Sequence, residues 1–504
     1  MTDARLLRAA AAAPLALRFA APWLDEHAVL PLSLDEHGAT VAAEGAVPPH
    51  VRDALERGLD ATVKLVPVAA GDVRAALAAA PRRASTDRAA SASNGDTYVG
   101  GEQVERVDDL RALASREPVV QVVNAMLAEA ARAGASDVHL ETTPETLRVR
   151  MRLDGVLRDA QELGSEFRTA VVSRLKVLAG LDIAERRLPQ DGRARVRVGD
   201  REIDVRVNTL PALHGESVVL RLLDGGGDEQ PQSLEGLGFT PQVLTPLRAL
   251  LHRSSGLVLV TGPTGSGKTT TLYAALRERS TPGVKVVTVE DPVEYRLDGV
   301  VQLPVNPRAG FGFPEALRAI LRHDPDVLLV GEMRDVATAE IAVRAALTGH
   351  LVLSTVHTTD AVGALARLRD MGVPPYLLTA TLQGVLAQRL VRCVCTSCAQ
   401  PVAPSEADRA FFGDEAVPST VRVGAGCEAC ARTGYRGRVA VAELLTLNDA
   451  LREALTQGAG STALRQLARE SGVQSLVADG RRAVRAGVTT AAEVLRVVSE
   501  DTLA

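Results

Sequence analysis

Between Leu257 and Thr270 the chain reads LVLVTGPTGSGKTT, a short apolar run broken by three glycines and closed by a lysine. The run Leu257–Val260 predicts a buried strand, and Lys268 opens a helix. Between them Gly262, Gly267, Lys268 and Thr269 satisfy the pattern G-x-x-x-x-G-K-[ST]. Glycines let the backbone wrap closely enough for several N–H groups to converge on one phosphate. The helix N-terminus adds favourable partial charge, and the Thr269 hydroxyl is suited to ligate Mg²⁺. The expected phosphate-binding residues are Gly262, Pro263, Thr264, Gly265, Ser266, Gly267, Lys268, Thr269 and Thr270.

Three more apolar runs follow, and each ends in polar chemistry. VKVVTV (284–289) leads into Glu290, Asp291, Pro292, Val293 and Glu294; DVLLV (326–330) into Gly331 and Glu332; LVLSTV (351–356) into His357, Thr358, Thr359 and Asp360. In an open parallel sheet the ligand lies at the carboxyl ends of the strands. That rule separates the acids: Asp326 stands at the wrong end of its strand, and Glu332 at the phosphate end. Glu332 is therefore expected in the Mg²⁺ and water shell, and Glu290 is expected to polarise the attacking water. Glu294 is the alternative base. His357 has two readings, a sensor of the γ-phosphate or a hydrogen-bonded structural histidine.

A chain of 504 residues exceeds a single core, which suggests about three domains. A small N-terminal domain (1–80) is expected to hold the strand pair in LPLSLDEHGATVAAEG and a helix around HVRDALERGL. PRRASTDRAASASNGD marks a flexible linker over 81–98. A mixed α+β segment follows (99–230), with a second break at DGGGDEQPQ (224–232). Next come the ATP-binding core (231–391), a cysteine-rich lobe (392–438) and a helical C-terminal region (439–504). No run approaches 18 apolar residues, so no membrane span is expected. The opening RLLRAAAAAPLALRFAAPWLDEH reads as an Ala-rich amphipathic helix, since Arg18 interrupts what would otherwise resemble a signal peptide.

RARVRVGDREIDVRV reads as a hairpin around Gly199-Asp200. That turn sets Arg197 opposite Glu202 and Arg195 opposite Asp204, both favourable pairs. Val196 faces Ile203 and Ala194 faces Val205 on the apolar side. It also sets Arg193 opposite Arg206, and like charges directly across a ladder cost stability. Either Asp191 or a slipped register neutralises them, or the pair meets a phosphate, such as one bound to a neighbouring subunit.

All five cysteines fall between 393 and 430. Cys395-Thr-Ser-Cys398 and Cys427-Glu-Ala-Cys430 are two C-x₂-C pairs 28 residues apart, the spacing of a four-thiolate Zn²⁺ site. Iron is the rival metal. An odd number of clustered cysteines is no disulfide framework and fits a reducing cytoplasm. Spacing alone also allows Cys393 to pair with Cys398.

The segments GPTGSGKTTTLYAAL, VVTVEDPVEY, LRAILRHDPDVLLVGEMRD and TGHLVLSTVHTTDA resemble the four nucleotide-site boxes of the secretion ATPases. These are the motors of type II secretion (GspE-like) and of type IV pilus assembly (PilB-like). GASDVHLE, RLPQDGR, QRLVR and GCEACARTGYRGR extend the likeness over 103–504. The resemblance implies an α/β fold: a RecA-like P-loop ATPase domain, a preceding PAS-like α+β domain, a small N-terminal docking domain and a tetracysteine zinc lobe. It implies ATP, Mg²⁺ and Zn²⁺ as ligands and a homo-hexamer as the working form. Inner-membrane platform proteins (GspL-like and GspF-like) are its implied partners, on the cytoplasmic face and with only peripheral membrane association. Residue by residue it assigns Glu290 as catalytic acid, Glu332 to the Mg²⁺ site and His357 to the histidine box. Arg193 and Arg206 would reach a neighbour's nucleotide, with Arg318 and Arg322 near the site. It leaves Cys393 as the spare cysteine. The chain departs from the family at Ser217 (usually Arg), His323 (usually Gln) and Thr359 (usually Asn). The short first domain favours type II secretion, with pilus assembly as the alternative; retraction motors usually lack that domain and the cysteines.

Other function classes fit less well. A nucleic-acid translocase should carry a basic stripe or stacking aromatics, whereas aromatics are 3% and the net charge is −5. A non-catalytic ATP-binding scaffold would not need Lys268, Glu290 and Glu332 together, and no N-K-x-D motif reads guanine.

Overall fold

A computed structural model describes residues 24, 27–35, 38–59, 61–79, 113–198, 201–224, 233–306 and 309–498. The expected N-terminal amphipathic helix, the linker, most of the second break and the Gly199-Asp200 turn lie outside these residues. The chain divides into two units, 1–102 and 103–504.

In the first unit Val29–Asp35 and Gly38–Ala43 pair antiparallel, and Val63–Pro67 joins the second strand in parallel. The helix Pro49–Leu59 makes that parallel crossover, burying Val51, Leu55 and Leu59 at i, i+4, i+8 spacing against Leu30 and Val41.

The second unit opens with a six-stranded antiparallel sheet. Its lateral order is Val156–Gly164, Thr146–Leu153, Asp137–Thr142, Gly215–Asp224, Arg201–Ala212, Gln190–Val198. The alternation LRVRMRL is the reason: Leu147, Val149 and Met151 point into the core and the arginines between them point away. Helices Glu117–Arg132 and Arg168–Leu178 cover the apolar face. The hairpin register is the one expected, with Arg197↔Glu202, Arg195↔Asp204 and Arg193↔Arg206. One ion pair is buried here: Lys176 Nζ lies 2.5 Å from Glu216 Oε1, with side chains 1% and 7% exposed.

The glycine-loop domain is built on a seven-stranded sheet. Its order is Val300–Pro304, Val286–Glu290, Val327–Val330, Leu351–Val356, Gly256–Thr261, Leu382–Val394, Tyr435–Thr446. The first six strands run parallel, and the last is an antiparallel edge. Strands buried on both faces are continuously apolar. Leu257 and Leu259 enter one core and Val258 and Val260 the other. Side-chain caps start the covering helices, Asp335 accepting from Thr338 N–H and Asp360 from Gly363 N–H.

One expectation changes. The region 439–504 is not helical from its start: residues to Thr446 complete the antiparallel edge, and helices begin at Asp449. Val439, Val441 and Leu445 find cross-strand partners on Leu382–Val394, a pairing across a long insertion that local pattern does not reveal. The cysteine lobe packs against the C-terminal region. Its helix Glu406–Phe412 buries Phe411 and Phe412 in a core shared with the C-terminal helices, and Arg481 and Arg485 both bind Glu415.

Candidate active site

The glycine loop joins the strand Gly256–Thr261 to the helix Lys268–Arg279, which is capped by Gly267 in the left-handed region (φ 86°). Gly262 also has positive φ, and a Cβ there would stand 2.5 Å from Ser266 Oγ and 2.6 Å from the Gln388 carbonyl. Any side chain at 262 would push the loop off its support. Lys268 Nζ donates to the carbonyls of Gly262 and Pro263 at 2.9 and 3.0 Å. Burial lowers its pKa to about 8, although the nearby Glu332 carboxylate favours the charged form. Thr269 is exposed on the first helical turn.

The loop opens onto a cleft of about 900 Å³. Lys268, Thr269, Glu290, Glu294, Glu332 and His357 all line it, so the strand-end residues picked out in the sequence converge on one space. Asp326 sits at the opposite end of its strand, where it accepts from Lys285 N–H.

Glu290 is 4% exposed. Tyr273 donates its hydroxyl to Oε2, while Thr288 Oγ1 and Gln302 Nε2 donate to Oε1 at 2.5 and 3.2 Å. Three donors on a buried carboxylate fix its rotamer. Burial and the Glu290 carboxylate push the Tyr273 phenol pKa up, keeping it a donor. Glu332 is paired with Arg334 at 2.6 Å, and His357 Nε2 lies 3.6 Å from its other oxygen. His357 thus stands beside the Mg²⁺-site candidate on the cleft wall, a position compatible with either reading of it.

The arginines are distributed differently. Arg193, Arg206, Arg318 and Arg322 do not line the cleft. Arg206 is held by Asp191 in a two-pronged ion pair, Nε–Oδ1 3.0 Å and Nη2–Oδ2 2.6 Å, which raises its pKa and lowers that of Asp191. Arg193 is exposed and makes no hydrogen bond or ion pair among the described residues. Arg318 pairs with Glu315, and Arg322 donates to the Arg318 carbonyl.

The segment QDGR can be read atom by atom. Gln190 accepts from Asp182 N–H at 2.8 Å and donates to the carbonyls of Asp182 and Glu185. Asp191 holds Arg206. Gly192 passes so close to the preceding helix that a Cβ would meet the Ala179 carbonyl at 2.7 Å. Arg193 is exposed on the strand that begins with this segment.

Gln388 and Arg389 have structural roles that sequence reasoning noticed only as part of QRLVR. Gln388 accepts from Thr271 Oγ1 at 2.9 Å and donates to the Ser266 carbonyl at 2.7 Å, tying the loop to its helix and to the neighbouring strand. Arg389 lies under the loop and donates to the carbonyls of Gln388, Thr359 and Val497.

The four predicted sulfurs converge. Cys395, Cys398, Cys427 and Cys430 place their Sγ atoms within 4.8 Å of one another, with Cys395–Cys427, Cys398–Cys430 and Cys427–Cys430 at 3.7–3.9 Å. A tetrahedron with metal–sulfur bonds of ~2.3 Å has edges of about 3.8 Å. Backbone N–H groups of Gly426, Cys427 and Gly434 point at the sulfurs, as thiolates require. Cys393 is outside the cluster, and burial raises its pKa.

Residues 112–496 match the family described as Type II/IV secretion system protein. The chain is 47% identical over 410 residues to the type II secretion system ATPase E of Vibrio cholerae, covering 81% of each. It is 49% identical over 401 residues to the type II secretion system protein E of Pseudomonas aeruginosa, covering 79% of each. Among solved structures it is similar to the pilus retraction motor PilT with bound ADP (27% identity, TM-score 0.51, 76% of this chain and 98% of that one). The ATPase DotB of Legionella pneumophila shares the fold (21% identity, TM-score 0.55, 75% of this chain and 95% of that one).

Proposed function

The chain belongs to the Type II/IV secretion system protein family, and on that premise we propose that it is the ATP-hydrolysing motor of a type II protein secretion machine. The observation that carries this reading is the single cleft in which the phosphate loop faces Glu290 and Glu332 at the carboxyl ends of parallel strands. The loop N–H groups and Lys268 bind the phosphates of ATP. Glu290, fixed by three donors, orients and polarises the attacking water. Thr269 and Glu332 are the residues that would hold Mg²⁺, which neutralises charge on the phosphates. His357, 3.6 Å from Glu332, is read as the sensor of the γ-phosphate.

The working form is a homo-hexamer in which Arg193 and Arg206 reach a neighbour's nucleotide; assembly must then exchange Asp191 for phosphate as the partner of Arg206. Closure of the cleft on ATP and its reopening move the antiparallel domain, read as PAS-like, against the ATPase core. That motion drives pseudopilus assembly at the cytoplasmic face of the inner membrane. The domains are those read from the sequence, docking domain 1–80, linker 81–98, PAS-like domain 99–230, ATPase core 231–391, zinc lobe 392–438 and C-terminal region 439–504, except that the strands Leu382–Val394 and Tyr435–Thr446 run across the last two boundaries and belong to the core sheet. The first domain docks on GspL-like and GspF-like platform proteins. The cysteine cluster fits Zn²⁺ in a closed, structural site. No helix among the described residues is long and apolar enough to cross a membrane. The pilus-assembly alternative is not favoured, because the relatives above are type II secretion proteins.

Phosphate release by the purified, concentrated full chain tests the enzyme: turnover is expected for the wild type and its loss for Lys268→Ala. A wild type that releases no phosphate under assembling conditions would overturn the reading. Deleting the gene in its own host distinguishes the pathway, since retained exoprotein supports type II secretion and loss of pili supports the alternative.

A further inference from the structure

The polar face of the six-stranded sheet carries a single lateral row whose composition is unexpected. Reading straight across the register, Arg152 faces Asp137, Asp137 faces Arg221, Arg221 faces Arg206, and Arg206 faces Arg193. Four arginines and one aspartate thus share one line over five strands, and two of the steps are arginine directly against arginine. Cross-strand like charges are destabilising unless an anion lies over them.

The last two members of the row, Arg206 and Arg193, are the ones read above as reaching a neighbour. The other three members face this chain's own cleft. Arg152, Asp137 and Arg221 all line it, as the phosphate loop does. Asp137 is 6% exposed and serves both arginines at once: Arg221 Nε donates to Oδ1 at 3.0 Å, and Arg152 Nε lies 3.6 Å from Oδ2. One carboxylate between two guanidiniums leaves a net positive charge. Both arginine side chains remain open to the cleft, 36% exposed at Arg152 and 53% at Arg221. If their sole task were to neutralise Asp137, one arginine would suffice.

We propose that Arg152 and Arg221 are phosphate-binding residues supplied by the antiparallel domain to this chain's own nucleotide, with Asp137 as the buried carboxylate that aims them. This deepens the ATPase reading and rests on it. The cleft then grips the triphosphate with groups from both domains, Lys268 and the loop from one and the arginine pair from the other. Binding energy from the arginine pair becomes available only when that domain is closed on the core, so nucleotide itself favours closure.

The test is equilibrium titration of a fluorescent ATP analogue with Mg²⁺ into the full chain. Arg152→Gln and Arg221→Gln should each weaken binding about tenfold or more, the usual worth of a charge-assisted bond. Arg148→Gln is the control: Arg148 pairs with Glu162 on the same sheet but outside the cleft, and its loss should leave affinity unchanged. The affinity of the two cleft variants should also depend less steeply on salt than that of the wild type. Arg221→Lys, which keeps the charge, should recover part of the loss. The proposal is overturned if the cleft variants bind like the control, or if they weaken binding with an unchanged salt dependence and no recovery by lysine. A wild type that fails to bind the analogue would instead overturn the ATPase reading.

Discussion

Gln388 offers a sharp test of how the phosphate loop is held. Its side chain bridges two buried groups, the Thr271 hydroxyl and the Ser266 carbonyl, and Gln388, Thr271 and Ser266 are only 1%, 2% and 3% exposed. Gln388→Leu keeps nearly the same volume and removes both bonds. Thr271 can turn its hydroxyl to the Gly267 carbonyl one turn back, so that end costs about 1 kcal/mol. The Ser266 carbonyl finds no substitute donor inside the core, at a cost of about 1–3 kcal/mol. The sum is ~2–4 kcal/mol. If only 2 kcal/mol is borne by the loop conformation that receives phosphate, affinity for MgATP falls roughly 30-fold. The assay is the same analogue titration, with thermal melting of the nucleotide-free chain alongside. A variant that binds as tightly as the wild type would refute the argument that this bridge pre-shapes the loop. So would a variant whose loss of affinity is matched by general unfolding at the assay temperature.

Other outcomes follow from the same geometry. Glu290→Gln should retain ATP binding and lose on the order of a hundredfold in turnover, checked by single-turnover hydrolysis. Because burial holds the Lys268 pKa at about 8, the free chain loses this positive charge as pH rises through that value; affinity for ATP should fall correspondingly, as titrations from neutral to alkaline pH would record. Cys395→Ser should abolish bound zinc and Cys393→Ser should leave it intact, by elemental analysis of the purified proteins. Lys176→Met strands the buried Glu216 carboxylate and should cost about 3–5 kcal/mol in denaturant unfolding, with much of it regained when Glu216 is also made apolar.

What the sequence made legible was what local pattern encodes. The loop and the three strand ends could be read because buried parallel strands are unbroken apolar runs and the chemistry follows each one directly. The hairpin register was readable because its charges pair in only one way. The edge strand Val300–Pro304 escaped notice because VVQLP is half exposed and carries no clean alternation. The pairing of Leu382–Val394 with Tyr435–Thr446 was hidden behind the inserted cysteine lobe, and GVLAQRLV suits a buried helix or strand equally well. Gln388, Asp137 and the Lys176–Glu216 pair were not legible as a support system, since their partners are distant in sequence. Asp191 stood in the sequence as one of two ways to relieve Arg206. The side-chain geometry of the single chain selects it, while Arg193 keeps its exposed charge.

The long ribbon formed by Leu382–Val394 and Tyr435–Thr446 has a mechanical consequence. Near its middle it carries Gln388, bonded to the phosphate loop; at its tip it carries Cys395, the first of the clustered sulfurs. Seven residues of extended chain separate the two, about 24 Å at ~3.4 Å per residue. Because the lobe is itself packed against the C-terminal helices, one continuous strand joins the support of the phosphate loop to that shared core, and a spectroscopic probe on the lobe would test whether nucleotide binding is felt there.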